Sequence, residues 1–149
     1  MGGLIGVAGT LGVEWLRRDQ DTRSRREIRA FARADDQRKV LTDLQDTTDL
    51  AMKAVVDPIR SFKSKPLPPH IDAIERDALD LLRRMSLVAA RSGDASISQL
   101  SRDLMVAALE AINTARTSRQ NTPKSVIEPV QIPLQLLNDR IAMAFRQLN

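Results

Sequence analysis

Along most of this chain apolar residues recur at steps of three and four, the spacing of one face of an α-helix. Phe31, Ala34, Leu41, Leu44, Met52, Val55, Ile59 and Phe62 form the first stripe, with Arg38 and Thr48 in two of its slots. No glycine falls between Val13 and Ser92, so one helix is predicted from the apolar lead of the chain to about Val56. Pro58 has no N–H for the carbonyl of Ala54, which predicts a bend at Asp57-Pro58. Because the stripe keeps its register through Ile59 and Phe62, a bend is favoured over a stop. Lys65-Pro66-Leu67-Pro68-Pro69 ends the helix.

A second helix is expected from Pro69 or His70 to Ser92. Its stripe is Ile71, Ile74, Ala78, Leu81, Met85 and Val88, widened by Leu82 and Ala89, and Gly93 is its stop. Ser96 followed by Gln99 matches a capping box, so the third helix is predicted to begin there and to fade by about Arg119. Asn121 to Ile132, holding Pro123 and Pro129, reads as a long loop. The last helix is then expected near Pro133, with Leu134, Leu137, Ile141, Phe145 and Leu148 on one face.

No stretch alternates with period two for long enough to make a strand; Ser125 to Ile132 comes nearest and is broken by proline. The predicted fold class is therefore all-α. A long, kinked N-terminal helix and three shorter helices would form a small antiparallel bundle. There is no internal repeat, and no heptad run is clean enough for a coiled coil. Three regions are expected: an apolar lead (1–16), a basic helical stalk (17–39) and the bundle (40–149).

The lead carries one charge, Glu14, and no proline. Leu4, Ile5, Val7, Leu11, Val13, Trp15 and Leu16 are its candidate membrane-anchor residues. A sixteen-residue helix is about 24 Å long against about 30 Å of bilayer hydrocarbon, so it is short for a span. Two flanking features extend its reach. Trp15, the only Trp, stands where an interfacial aromatic would, and Arg17 and Arg18 follow at once to meet headgroups. Gly2 and Gly6, and Ala8 and Gly12, are spaced as small residues are where two membrane helices approach closely. No basic residue precedes the run and no small-residue cleavage site follows it, so it does not read as a secretory signal. It lacks the lysine and the preceding strand of a nucleotide-binding loop.

Charge sharpens this picture. The net charge is only +4, and the high isoelectric point follows from having no Tyr, no Cys and one His. Residues 17–39 hold nine bases and five acids, and so carry the whole excess. It lies directly after the apolar run, as the positive-inside rule requires. The expected topology is N-terminus outside and the bulk in the cytoplasm, with a wholly cytoplasmic protein as the alternative. Arg17, Arg18, Arg23, Arg25, Arg26 and Arg29 are the candidate contacts to headgroups or phosphates.

Candidate chemistry adds little. One histidine, His70, excludes histidine pairs within one chain, and the absence of cysteine excludes thiolate chemistry. The carboxylates Asp72, Glu75, Asp77 and Asp80 mix with arginines at helical spacing, which reads as a solvated face. No catalytic residue, metal, cofactor or small-molecule substrate is therefore predicted, and the chain is not expected to be an enzyme. A membrane is the expected partner, with a protein partner or a second copy beside it. Nucleic acid is the lesser alternative, because five acids interrupt the arginines and no aromatic stands between Arg17 and Ala30 for stacking. A holin-like or toxin-like membrane-active protein is a further alternative, resting on the glycine face.

The lead, Gly2-Gly3-Leu4-Ile5-Gly6-Val7-Ala8-Gly9-Thr10-Leu11-Gly12 followed by Trp15-Leu16-Arg17-Arg18, resembles the start of small uncharacterised bacterial proteins. In those a glycine-rich apolar anchor passes into an arginine-rich helix. The resemblance covers roughly the first forty residues and implies a membrane anchor with a cytoplasmic helical part. It implies no activity.

Overall fold

The computed structural model describes residues 5–63, 66–118 and 121–148, with side chains from Thr22 onward. Four helices follow in order: α1 Ile5–Lys63, α2 Ile71–Arg91, α3 Ala95–Thr117 and α4 Pro123–Gln147. Among the described residues there is no strand. The chain divides into two compact units, Met1–Asp36 and Gln37–Asn149.

In the first unit α1 buries nothing from Thr22 to Arg33, and Ala34 is half-buried. Phe31, expected in the core stripe, is instead 76% exposed. The apolar period of the bundle does not reach that far back.

The second unit is an all-helical bundle. Its core takes Leu41, Leu44, Ala51, Val55 and Ile59 from α1 and Ala78, Leu82, Met85, Val88 and Ala89 from α2. Opposite them stand Ile97, Leu104, Ala108 and Ile112 of α3 and Val126, Val130, Leu137 and Ile141 of α4. Burial of such side chains, worth about 1.5–3 kcal/mol each, is what holds helices of this length together. Two hydroxyls share the core without cost because they bond back one turn, Thr47 to the Asp43 carbonyl at 2.6 Å and Thr48 to the Leu44 carbonyl at 2.7 Å. The Ser101 hydroxyl is buried with no partner among the described residues.

Helix α1 remains helical through Pro58, which is itself fully buried, and Asp57 lies inside the helix rather than capping a new one. Tertiary packing outweighs the one lost hydrogen bond. At the C-terminal end of α1, Lys63 Nζ donates to the Ser118 carbonyl at the end of α3. The Arg116 guanidinium stacks 5.3 Å from the centroid of Phe62 and pairs with Glu75.

Two helix starts differ from expectation. Helix α3 begins not on a Ser96–Gln99 box but on Asp94, whose Oδ1 accepts the Ser96 and Ile97 N–H at 2.8 and 3.1 Å. Gln99 turns instead to Asp103 and Arg102. An aspartate caps as well as a serine, and here it comes directly after Gly93 (φ +71°), which turns the chain out of α2. Helix α4 begins at Pro123, ten residues before the expected start, with Thr122 as its cap. Pro123 occupies the first turn, where a missing N–H is harmless. Pro129 and Pro133 sit inside the helix, and burial of Val126 and Val130 against α3 carries it through them. The expected loop over 121–132 is thus mostly helix.

Candidate anion-binding face

The site is built on α1 in the first unit. Arg25, Arg29 and Arg33 follow at four-residue steps, and Arg26 stands three before Arg29 and seven before Arg33. At 3.6 residues per turn these four share one face, and all four are exposed. Asp36, three residues after Arg33, ends the stripe. Glu27 and Asp35 fall outside it; Ile28 flanks it beside Arg25, and Phe31 is exposed on the opposite side of the helix. Arginine suits such a face because it keeps its charge and offers a planar fork to phosphate oxygens.

Of the residues predicted from the sequence, Arg25, Arg26 and Arg29 fall together on this face. Arg23 is exposed but lies on its flank and has a bonding partner of its own. Arg33 completes the stripe and was not among the predicted contacts; its four-residue step from Arg29 is the signal that reveals it. Arg38 belongs to the bundle, where its Nη2 donates to the Leu148 carbonyl at 2.6 Å. Leu4, Ile5, Val7, Leu11, Val13, Trp15, Leu16, Arg17 and Arg18 lie outside the residues whose side chains are described. Among the described residues no helix is long and apolar enough to cross a membrane.

The bundle also has a concavity beside the α2–α3 turn. Leu41 and Ile97 floor it, and Gln37, Ser92, Asp94 and Gln147 form its rim. Burial raises the Asp94 carboxyl, but the hydrogen bond from Arg140, the two backbone N–H groups and the charge of Arg140 outweigh it. They hold Asp94 below the ordinary carboxylate value. Asp94 is therefore a structural anion already engaged with Arg140 and the first turn of α3. His70 is exposed at the N-cap of α2 and makes no side-chain capping bond. Among the described residues no group of three or more metal-ligating side chains comes together. No protein-family model, curated protein or solved structure gives a significant match to this chain.

Proposed function

We propose that this chain is a non-catalytic, membrane-associated helical interaction module. Its apolar lead enters the bilayer, its arginine face rests on anionic headgroups, and its bundle serves as the cytoplasmic binding part, with the N-terminus outside. The observation that carries this reading is the four-arginine stripe on a fully exposed stretch of helix, close behind the apolar run Leu4 to Leu16. Near an anionic surface each such arginine contributes about 1 kcal/mol, and the attraction fades within a Debye length. At about 1.5 Å per residue the stripe starts about 14 Å past Leu16, so Arg25 and Arg26 gain most from that attraction and Arg33 least.

Co-sedimentation with vesicles tests this. Full-length protein should pellet with vesicles containing an anionic phospholipid and pellet less with purely zwitterionic ones. Replacing Arg25, Arg26, Arg29 and Arg33 by Gln should reduce the difference between the two. Equal pelleting with both, alongside tight salt-sensitive binding to duplex DNA, would move the arginine face to nucleic acid.

A further inference from the structure

Helix α4 carries two apolar seams. One is buried and runs through Val126, Val130, Leu137 and Ile141. The other faces outward. Ser125, Pro129, Ile132, Leu136, Asp139 and Met143 follow one another at alternating steps of four and three. Ile132 is 69% exposed, and Leu136 and Met143 are each 50% exposed. Alternating steps of four and three keep one side of a helix against a second helix. A helix on the surface of a monomer needs only its inward stripe.

The charges on this face say what covers it. Glu128 lies near the start of the seam and Arg146 just past its end. Both are exposed, and neither has a hydrogen bond or ion pair from its side chain to another described residue. Glu128 and Arg146 thus complement each other when the seam is reversed. We propose that this face pairs with the same face of a second copy, antiparallel, about a two-fold axis between positions 137 and 138. In that register Ile132 stands opposite Met143 of the second copy, and beside the axis Leu136 stands opposite Asp139. Glu128 comes within one residue of Arg146 of the second copy, and the axis repeats the pair. A two-fold interface requires self-complementarity of this kind. Parallel pairing is disfavoured because it stacks Glu128 and Arg146 each on its own copy, whereas in the antiparallel register only the two Asp139 carboxylates approach, three residues apart across the axis. The inference uses α4 alone and does not depend on the membrane reading. Three large apolar side chains per copy make an interface smaller than the usual ~800 Å² per partner, so association is weak and rises with protein concentration.

The chain has no cysteine, so introduced thiols report without background. Three full-length variants are compared under mild oxidation by copper phenanthroline: Ile132→Cys, Met143→Cys and the double variant. Both positions are at the surface, so the helical circular dichroism should match that of the natural chain. The expected result is a disulfide-linked dimer from the double variant and loss of that product in each single variant. Adding Glu128→Arg to the double variant should lose the cross-link, and adding Arg146→Glu as well should restore it. A cross-link from Ile132→Cys alone means parallel pairing or random collision and overturns the proposal. So does a double variant that stays monomeric, or a charge reversal that leaves the yield unchanged.

Discussion

Arg140 Nη2 donates to Asp94 Oδ2 at 2.5 Å, joining α4 to the cap of α3 across forty-six residues. The other oxygen of the same carboxylate closes the first turn of α3. One side chain thus holds a helix end, the turn after Gly93 and the C-terminal half of α4. Its held-down carboxyl fixes the sign of the pH response. A group with a folded pKa below its unfolded one adds stability above the unfolded value, and that stability is lost as pH falls through the folded one. Asp94→Asn should therefore lower stability at pH 7, with the deficit constant down to about pH 5 and shrinking below about pH 4. Asp94→Ala should cost more, about 1–3 kcal/mol, because it also removes the cap and leaves the Arg140 charge half-buried without its carboxylate. Urea denaturation at a series of pH values checks both.

The bundle core should separate cleanly from its surface. Leu104 and Leu137 are fully buried, so either one changed to Ala should lose about 2–5 kcal/mol. Leu87→Ala, at an exposed position on α2, should stay within about 0.5 kcal/mol. Denaturant midpoints at constant slope decide this.

Ser101 is a polar atom in a place that rewards none. Its hydroxyl is fully buried and unpartnered among the described residues, so Ser101→Ala should stabilise the bundle by about 1 kcal/mol. A destabilised variant would show that the hydroxyl is hydrogen-bonded in solution.

Pro129 lies inside α4 and is exposed. It denies the Ser125 carbonyl its helical donor. Pro129→Ala restores that bond at a position where no side-chain packing is lost, and should raise the thermal midpoint, with a gain of about 1–3 kcal/mol.

The same proline shows how far the chain could be read in advance. Four helices, their order and the inward faces of α1 and α2 from Leu41 onward follow from the three-four spacing alone. The start of α4 did not, because three prolines in eleven residues are a strong local signal for a loop. That signal is outweighed by the burial of Val126 and Val130, which only the packed partner α3 reveals. Asp94 was hidden by a better-looking pattern two residues later: Ser96 and Gln99 have the right types and spacing, but the chain leaves its turn at Gly93 and reaches the cap sooner. Phe31 fitted the stripe by spacing, yet it stays 76% exposed. For the arginine segment, composition identified the stretch, while the helical register sets Arg33 beside Arg25, Arg26 and Arg29 and leaves Arg23 on the flank.

The central claim concerns the apolar lead and the arginines behind it. Its most direct test is fractionation of cells expressing the full-length chain beside a chain starting at Asp19, with carbonate and high-salt washes of the membranes. The account predicts that the full-length protein stays in the pellet through both washes while the shortened chain is found in the soluble fraction. Release of the full-length protein by salt alone would contradict the bilayer anchor and leave only an electrostatic contact. Solubility of both chains before any wash would contradict the account altogether.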